Sequence, residues 1–258
     1  MHWHYHQALE LTVFTSGRGT RFVGDGIEGF TEGEVVLLGE NLPHYWHTRG
    51  RSSGLSVQFF FPPLHPFWAF PEAAGLSGHF KVAERGLQYY GRTAETIIAL
   101  MHRLVESGGL GRLGVLIQLL AVTAASPASE RRCISTQTFS LSGESQHQNA
   151  MRAAMRFLLT HYRDEIRLGQ LLKVTGMSKP TFCRYFKKHS GKTLGKFLQH
   201  LRVEAACREL SDTKKPVIDV ALGNGFSQIS FFNRVFQRTL RCTPTQYRQT
   251  RRRAGSVS

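Results

Sequence analysis

Three histidines and a glutamate near the start of the chain are the residues whose types and spacing are best suited to chemistry. His4, His6 and Glu10 lie close together in sequence, and His44 follows some thirty residues later. Three neutral imidazoles and a carboxylate are a reasonable ligand set for Fe, Mn, Ni or Zn. The same side chains can instead line a pocket for an organic molecule or act as structural polar groups. All three interpretations stay open at this stage; the pocket is favoured, with no metal or other cofactor expected.

Aromatic and basic residues close to this group extend the predicted pocket. Tyr45 and Trp46 suit stacking against the face of a sugar, and Arg18 or Arg21 can hold a polar group of a ligand. The candidate pocket residues are His4, His6, Glu10, Arg18, Arg21, His44 and Trp46. No G-x-S-x-G motif, P-loop or G-x-G-x-x-G in a βαβ unit occurs, so the sequence predicts no catalytic residue.

Short strands must position these residues. Apolar stretches alternate with Gly, Asp and Asn turns, and Leu55, Val57 and Phe59 alternate with polar residues in the period of a strand. Many short strands of this kind predict a small antiparallel sandwich or barrel, and we expect a barrel over about residues 1–80.

A helical pair is predicted over about residues 90–126. Apolar residues recur on one stripe of the first helix, and the sequence GGLG separates it from a second apolar helix. The stripe consists of Ile97, Leu100, Met101, Leu104 and Val105. Such a pair can serve as core, as a lid or as a dimer interface.

Charge divides the chain into two unlike halves. The 258 residues carry 33 Lys and Arg against 18 Asp and Glu, a net charge of +15. Residues 1–148 hold 11 basic and 12 acidic residues, whereas residues 149–258 hold 22 basic and 6 acidic ones. A strongly basic half is typical of a module that meets phosphates or an anionic membrane, and nucleic acid is the favoured partner.

Cysteine usage and hydropathy indicate a reduced compartment. Cys133, Cys183, Cys207 and Cys242 form no C-x-x-C pair, so neither a zinc finger nor a disulfide framework is predicted. No signal-peptide pattern begins the chain, and no run of about 18 apolar residues is available to span a bilayer. We therefore expect a cytoplasmic protein that does not contact a membrane.

The basic half contains two copies of one pattern. GMSKPTFCRYFKKHSGKTLGKFL aligns with GFSQISFFNRVFQRTLRCTPTQYR, which pairs Gly176 with Gly225 and Ser178 with Ser227. Each copy has a short amphipathic helix, a turn that needs a glycine at positive φ, a serine able to cap the next helix, and that second helix. This order of elements is the helix-turn-helix pattern.

The second helix of each copy has an inward aromatic face and an outward polar face. Read at about 100° per residue, Phe182, Phe186, Phe232 and Phe236 face the core. An outward arginine can make two hydrogen bonds to guanine in the major groove, whereas phosphate contacts position the protein without reading sequence. The candidate base contacts are Arg184, Ser230, Phe231 and Arg234. The candidate phosphate contacts are Ser178, Lys179, Thr181, Lys187, Lys188, Ser227, Gln228, Gln237 and Arg238.

A connector and a tail complete the basic half. The sequence from Thr193 to Thr213 predicts a long amphipathic helix with Thr193 as its cap. A rigid connector would hold the two reading helices about one turn of B-DNA apart, roughly 34 Å. A basic, flexible tail is expected over residues 253–258.

These motifs resemble the DNA-binding domain of AraC/XylS-type transcription regulators. The resemblance rests on GMS...F.R.FK...G over residues 176–191, on LR...A..EL over residues 201–210, and on V..VA...GF...S.F.R.F followed by TP..YR over residues 217–248. It implies that the second helix of each unit enters the major groove. It also implies that the outward arginines Arg184 and Arg234 reach bases.

The N-terminal half is similar to the cupin-like sensor barrel of the same family. The similarity rests on the paired segments SGRGTRFVGD and EGEVVLLGENLPHYW. His4, His6 and Glu10 also keep the spacing of the first general cupin motif, and His44 stands where the second motif has its last ligand. The resemblance implies a small effector in the barrel, often a sugar, sensed without a cofactor, and dimerisation through the helices that follow.

The sequence departs from the family pattern at several positions. Arg241 stands where the second copy usually has a turn glycine, and Leu172 replaces a small alanine in the first unit. Pro180 and Cys183 are poor hydrogen-bonding readers, so we expect less base specificity from the first copy than from the second. The chain also begins at a barrel strand, so an N-terminal arm is either absent or truncated.

The sequence therefore predicts an α+β protein of two domains. A cupin-like effector-sensing and dimerisation domain is expected over residues 1–126, a linker over 127–148, and an all-α double helix-turn-helix domain over 149–252. The expected function is sequence-specific regulation of transcription, as an activator, in response to a small-molecule effector. The expected partners are double-stranded promoter DNA, the effector, a second copy of the chain and RNA polymerase. The alternatives are a metal-dependent cupin enzyme with a DNA-binding appendage and a basic protein that binds RNA or shapes DNA.

Overall fold

Alternation of apolar and polar residues produces antiparallel strands in the first unit of the protein. The computed structural model describes residues 3–48, 50–139 and 147–254, with side chains up to residue 250. The first six strands are β1 Leu9–Ser16, β2 Gly19–Val23, β3 Gly26–Phe30, β4 Val35–Leu38, β5 His44–Thr48 and β6 Ser53–Phe59.

These strands form two open sheets, so the prediction of a closed barrel is wrong. Two later strands, β7 Leu87–Tyr89 and β8 Arg131–Cys133, join a five-stranded sheet of order β6-β1-β4-β7-β8, and the other sheet has the order β3-β2-β5. A barrel requires one uninterrupted ladder of strand pairs. Here the chain changes sheet after β1, where Gly17 has a φ of +96° and the β1–β6 register shifts.

Strand β1 gives the five-stranded sheet two different faces. Leu9, Leu11 and Val13 point to a core that is completed by helices. The alternate side chains point toward the three-stranded sheet, where Phe14 contacts Trp46 with ring centroids 5.7 Å apart. The period of two therefore separates an outer apolar core from a second core between the sheets.

Three helices cover the outer face of the five-stranded sheet. They are α1 Leu76–Ala83, α2 Gly91–Glu106 and α3 Gly109–Ala125, and two short 3₁₀ helices lie between β6 and α1. The predicted helical pair is present as α2 and α3, whereas α1 was not predicted. Val105 was predicted on the buried stripe but is 61% exposed, because it lies at the last turn of α2 beyond the covered surface.

Part of the segment predicted as a linker is bound to the first unit. β8 pairs with β7, and the buried carboxylate of Asp25 accepts hydrogen bonds from the Ser135 hydroxyl at 2.8 Å and the Thr136 hydroxyl at 2.6 Å. The chain divides into compact units at Met1–Glu144 and Ser145–Ser258. The remainder of the predicted linker, at residues 140–146, and most of the predicted tail, at residues 255–258, lie outside the described residues.

The second unit is built of helices. They are α4 Gln148–His161, α5 Leu168–Thr175, α6 Lys179–Ser190, α7 Leu194–Asp212, α8 Val217–Gly223, α9 Ile229–Leu240 and α10 Pro244–Ala254. The pairs α5–α6 and α8–α9 are the two predicted helix-turn-helix units, and α7 is the predicted connector.

The connector α7 buries two opposite stripes, whereas the sequence predicted one. At about 100° per residue, its buried side chains fall on nearly opposite sides of the helix. One stripe consists of Phe197, Leu201 and Ala205, and the other consists of Val203, Ala206, Cys207 and Leu210. The rings of Phe197 and Phe186 in α6 lie 5.4 Å apart, and the second stripe joins the aromatic core of α9. The helix therefore belongs to the cores of both helix-turn-helix units.

The turns before the second helices of the two helix-turn-helix units have the predicted backbone conformation. Gly176 and Gly225 have φ values of +67° and +86°, which glycine adopts without a steric penalty. Thr193 caps α7, and Ser178 occupies the N-cap of α6 without a side-chain capping bond. The N-cap of α9 is Gln228, so the prediction of Ser227 is wrong by one residue, because the helix begins at Ile229.

The two reading helices end in the same left-handed turn with different residues. Gly191 ends α6 at a φ of +66°, whereas Arg241 ends α9 at a φ of +58°. A side chain in this conformation is strained by roughly 1 kcal/mol because its Cβ approaches the backbone. The departure noted in the sequence is therefore a strained turn.

Replacing Arg241 by glycine should stabilise the second helix-turn-helix unit. We expect Arg241→Gly to raise the free energy of unfolding by about 0.5–1 kcal/mol, because glycine adopts the left-handed conformation freely. Arg241→Ala is the matched control, since it removes the same charge but keeps Cβ, and it should give no gain. Differential scanning calorimetry of the full chain measures both variants. An equal gain in the two would assign the effect to the lost charge.

Candidate nucleic-acid interface and ligand pocket

The second helix of each helix-turn-helix unit presents a polar and basic surface to solvent. Phe182, Phe186, Phe232 and Phe236 are buried, as the helical period predicted. The exposed residues of α6 are Lys179, Pro180, Cys183, Arg184, Lys187 and Lys188. The exposed residues of α9 are Ser230, Phe231, Asn233, Arg234, Gln237 and Arg238. These two sets are named the α6 arc and the α9 arc.

Each arc has one arginine held over an aromatic ring. The guanidinium carbon of Arg234 lies 5.8 Å from the ring centroid of Phe231, and that of Arg184 lies 5.2 Å from the ring centroid of Tyr185. A cation above an aromatic face is attracted by the ring quadrupole, which restricts the arginine side chain. Both guanidiniums are exposed, so the predicted base contacts are positioned where a nucleic acid can reach them.

The predicted phosphate contacts lie around these arginines. Thr181 is half-buried and its hydroxyl lies 2.9 Å from that of Ser178. The other predicted contacts are exposed, and they are Ser178, Lys179, Lys187, Lys188, Ser227, Gln228, Gln237 and Arg238. Arg238 also donates a 2.8 Å hydrogen bond to Gln199 of α7, which fixes its side chain against the connector.

Asn233 belongs to the α9 arc but was missed by the sequence reasoning. It is exposed between Ser230 and Gln237 at helical spacing, and the same period that selected those two residues also selects Asn233. An asparagine amide can donate and accept one hydrogen bond each at adenine in the major groove. The arc therefore carries side chains suited to adenine as well as guanine.

A polar contact supports the second helix-turn-helix unit from within. The buried Asn224, at the turn after α8, donates hydrogen bonds to Glu209 of α7 and to the Val220 carbonyl, each at 2.8 Å. Lys215 donates to the other oxygen of Glu209 at 2.7 Å. Burial opposes ionisation of Glu209, but the hydrogen bonds from Lys215 and Asn224 outweigh it and lower the pKa of its carboxyl.

The N-terminal unit contains a cavity of about 250 Å³. Its lining combines aromatic rings with hydroxyl and backbone groups from β1, β5 and β6. The lining residues are His4, Glu10, Thr12, Phe14, Tyr45, Trp46, Ser52, Ser53, Gly54, Leu55 and Ser56. A cavity of this size and character suits a small polar organic molecule.

The structure places the predicted pocket residues in three different positions. His4, Glu10 and Trp46 line the cavity, while His6 and His44 lie beside them in one cluster. Arg18 is exposed at the turn between β1 and β2 and does not line the cavity. The polar residues Thr12 and Ser56 line the cavity instead. The alternation of apolar and polar residues along β1 and β6 could have identified them, because both lie at polar positions of that pattern.

Arg21 is part of the core between the sheets, so the prediction that it binds a ligand is wrong. It is 1% exposed, and its guanidinium nitrogens lie 2.6 Å from a Glu28 oxygen and 2.8 Å from a Glu34 oxygen. A buried arginine requires such partners because an unpaired buried charge is strongly unfavourable. The carboxylates of Glu28 and Glu34 therefore occupy the guanidinium that was predicted to bind a ligand.

The three histidines and Glu10 form one cluster. The ring centroids of His4 and His44 lie 4.2 Å apart, and those of His6 and His44 lie 5.1 Å apart. His6 Nε2 lies 3.1 Å from a Glu10 oxygen. Thr12 donates to Glu10 at 2.7 Å and Gln58 donates to it at 2.8 Å.

The environment fixes the charges within this cluster. Burial lowers the pKa of His44 to about 3, so its imidazole is neutral at pH 7. Burial opposes ionisation of Glu10, but hydrogen bonding to His6, the nearby His44 and further hydrogen bonds lower the pKa of its carboxyl. The hydrogen bond to Glu10 raises the pKa of His6. The cluster therefore holds a carboxylate beside a neutral buried imidazole.

Comparison with known proteins addresses the second unit most directly. A family model described as a helix-turn-helix domain matches residues 171–250. The regulatory protein PocR of Salmonella typhimurium is 31% identical over 107 residues, which are 42% of this chain and 35% of PocR. The regulatory protein SoxS of the same organism is 29% identical over 102 residues, which are 40% of this chain and 95% of SoxS. The chain thus spans about a third of PocR.

Some relatives match across both units. The HTH-type transcriptional activator RhaR of Mannheimia succiniciproducens is 22% identical over 252 residues, which are 95% of this chain and 86% of RhaR. Among solved structures, the DNA-binding domain of AdpA in complex with a target DNA is 28% identical with a TM-score of 0.38, over 39% of this chain and 91% of that one. Within the described residues, none of the helices has the length and apolar character needed to cross a membrane.

The second unit is a helix-turn-helix domain of the kind that binds double-stranded DNA. The match over residues 171–250 is to an AraC-type helix-turn-helix domain, which confirms the resemblance predicted from the sequence. The relatives PocR and SoxS are named as regulatory proteins, and RhaR is named as a transcriptional activator.

Glu209 should stabilise the second helix-turn-helix unit only while its carboxyl is ionised. Because its pKa is lowered in the folded state, its contribution is complete above the ordinary glutamate pKa of about 4.3 and is lost as the pH falls below that value. Glu209→Gln should therefore lower the stability at pH 7 by on the order of 1 kcal/mol. The difference from the unmodified protein should shrink on acidification.

Thermal unfolding of the full chain between neutral and acidic pH measures this dependence. Glu165→Gln is the matched control, because Glu165 is exposed in the same unit and pairs with the exposed Arg167. It should change the melting temperature little at any pH. A Glu209→Gln deficit that stays constant across the pH range would contradict an ionised role for Glu209.

Proposed function

We propose that the protein regulates transcription by binding a specific DNA site through both helix-turn-helix units and by sensing a small molecule in its N-terminal unit. The observation that carries the proposal is the pair of exposed α6 and α9 arcs, joined by the single helix α7. The 19 residues of α7 give it a length of about 28 Å. That length is comparable to the separation of about 34 Å between adjacent major-groove segments on one face of B-DNA.

In this proposal Arg184 and Arg234 read bases, and Ser230 and Phe231 contact neighbouring base edges. A guanidinium can bind guanine O6 and N7 together, and an aromatic edge can contact the thymine methyl group. The predicted phosphate contacts keep that role, and Asn233 is available to a base edge. The phosphate contacts are Ser178, Lys179, Thr181, Lys187, Lys188, Ser227, Gln228, Gln237 and Arg238. The excess of basic residues in the second unit favours this assignment over a role for the arcs as ordinary solvated surface.

The proposed effector is a small polar organic molecule, with a sugar as one candidate. The cavity supports this choice because Tyr45 and Trp46 supply aromatic faces while Ser53 and Ser56 lie among its polar lining. Activation is proposed because RhaR, which matches nearly the whole chain, is named a transcriptional activator. The proposed partners are therefore promoter DNA and RNA polymerase. The proposed location is the cytoplasm.

Dimerisation is proposed to use the exposed apolar side of α3. Leu110, Leu113 and Ile117 recur at helical spacing and remain exposed, with Leu110 at 85%. Val105 of α2 is exposed near the turn that joins the two helices. An exposed apolar stripe is typical of a surface that a partner covers. A second copy of the chain is the proposed partner.

Arg234→Ala should weaken binding to the specific DNA site far more than binding to other DNA. Loss of one bidentate contact is worth about 1–3 kcal/mol, or roughly a 5- to 150-fold weaker affinity at the site. Lys187→Ala is the contrasting variant, since loss of a phosphate contact should weaken binding to all sequences similarly and reduce the salt dependence. Footprinting upstream of neighbouring genes defines the site, and fluorescence anisotropy measures the affinities. Equal loss on every DNA for Arg234→Ala would make Arg234 a phosphate contact.

Leu110→Glu should shift the protein from dimer toward monomer, because the new carboxylate would lie in the covered apolar stripe. The position is 85% exposed, so the fold should tolerate the change. Leu64→Glu is the matched control, because Leu64 is 97% exposed in the same unit but lies in the segment between β6 and α1, outside α3. Sedimentation equilibrium measures both variants. Dimers that persist in Leu110→Glu would rule out this surface.

A further inference from the structure

We propose that His4, His6, Glu10 and His44 bind one divalent ion of a first-row transition metal. Each residue offers one ligand atom, and these atoms all lie within 4.8 Å of one another in the described part of the chain. They come from the segment before β1, from β1 and from β5, so the fold brings them together from separate segments. The site goes beyond sensing of an organic effector, and it does not depend on the role of the DNA-binding unit.

His44 is oriented as a metal ligand by its backbone neighbour. Its side chain is 1% exposed, and its Nδ1 lies 2.8 Å from the Leu42 carbonyl. Because a carbonyl can only accept, Nδ1 must carry the hydrogen, and the lone pair of the ring is therefore on Nε2. Nε2 is buried and has no hydrogen-bond partner among the described residues. A buried acceptor without a partner is unfavourable, and a metal ion is a partner of the correct character.

His6 is held to the backbone in the same way, but its Nε2 already contacts Glu10 and lies 3.3 Å from the side-chain nitrogen of Gln58, so a metal ion would replace the hydrogen in the contact with Glu10. The Nδ1 of His6 lies 2.8 Å from the Ala8 carbonyl, so Nδ1 donates there and Nε2 is directed to the cluster, 3.1 Å from Glu10. Metal-binding histidines commonly donate their second ring N–H to a carbonyl or a carboxylate, which fixes both the tautomer and the ring orientation. Two rings of the cluster therefore present Nε2 inward through hydrogen bonds to the backbone.

Glu10 is held in place by side chains outside the cluster. Thr12 donates to one carboxylate oxygen at 2.7 Å and Gln58 donates to the other at 2.8 Å. Such contacts orient a ligating carboxylate while leaving it lone pairs for a metal. The carboxylate also supplies a negative charge that a buried divalent cation requires.

The composition of the cluster selects the type of ion. Three imidazoles and one carboxylate suit Zn, Fe, Ni, Co or Mn, whereas Mg²⁺ and Ca²⁺ prefer ligand sets made of oxygen. His4 and Glu10 also line the cavity, so the ion would be accessible from the cavity. An oxygen atom of water or of a small molecule in the cavity can then complete its coordination.

Cobalt and zinc titration of the intact protein, purified without a histidine tag and treated with a chelator, tests the site. We expect one Co²⁺ per chain, with visible absorption bands of a nitrogen- and oxygen-ligated ion, displacement of Co²⁺ by Zn²⁺, and a rise in melting temperature by mass action. Mg²⁺ at the same concentration should produce no shift. Failure to bind Co²⁺ or Zn²⁺ at a one-to-one ratio would overturn the proposal.

Conservative variants assign the binding to these residues. Glu10→Gln and His6→Asn keep similar shape and should weaken Co²⁺ binding at least tenfold. His102→Gln is the control, because His102 is exposed on α2, and it should bind Co²⁺ normally. Gln58→Ala, which removes only an orienting contact, should weaken binding by roughly 10- to 100-fold. Unchanged binding in Glu10→Gln and His6→Asn would place the ion elsewhere and refute the site.

Circular dichroism and DNA affinity of the same variants distinguish loss of the metal site from loss of folding or of DNA binding. A variant that keeps its spectrum and its DNA binding but loses Co²⁺ has lost the metal site alone, which supports the proposal. Normal DNA binding in a protein that never takes up metal would overturn the metal site and leave the proposed regulatory function intact.

Discussion

The arrangement of the DNA-binding unit depends on the packing of one helix, α7, into two cores. A helix-turn-helix pair has too few residues to bury a core alone, so each copy needs an additional surface. Phe197 and Leu201 provide that surface to the first copy, and Val203 and Leu210 provide it to the second. Because the same helix serves both, neither copy can rotate about it without loss of a core. The separation of the two arcs is therefore fixed by side-chain packing.

The N-terminal unit rests on a comparable constraint in strand β1. Its even- and odd-numbered side chains belong to different environments, so one strand builds both the outer core and the interior between the sheets. The interior positions include Glu10 and Thr12, which are buried polar residues. Buried polar groups reduce stability unless they are paired, and they are retained where a site needs them. The cavity and the histidine cluster both lie on this polar side of β1.

Local signals in the sequence predicted the second unit well. Gly176 and Gly225 mark turns by their conformational freedom, and the four aromatic residues of α6 and α9 recur at a period that leaves one inward face. The sequence resemblance then specified the AraC type. The sequence did not predict the N-cap of α9 at Gln228 or the second buried stripe of α7. Both depend on tertiary contacts, because the positions of neighbouring helices decide where a helix begins and which of its faces are buried.

Non-local pairing explains what could not be predicted in the first unit. β7 and β8 are each three residues long, and they become strands only because β4 and β7 offer free edges to them. Arg21 looked available to a ligand because its partners Glu28 and Glu34 lie one and two turns further along the chain, and only the fold brings both to its guanidinium. The spacing of a sequence motif predicted the cluster of His4, His6, Glu10 and His44. No local pattern predicted Gln58, because it reaches Glu10 only through the pairing of β1 with β6.

The two arcs differ in chemistry although the units share one backbone pattern. The α6 arc combines four basic residues with Pro180 and Cys183, which offer little for reading base edges. The α9 arc replaces these with Ser230 and Asn233, whose side chains both donate and accept. Point charges attract phosphates at any sequence, whereas directional donors and acceptors distinguish bases. In the proposed complex the first helix-turn-helix unit therefore supplies most of the sequence-independent affinity. The second helix-turn-helix unit supplies most of the discrimination between DNA sequences.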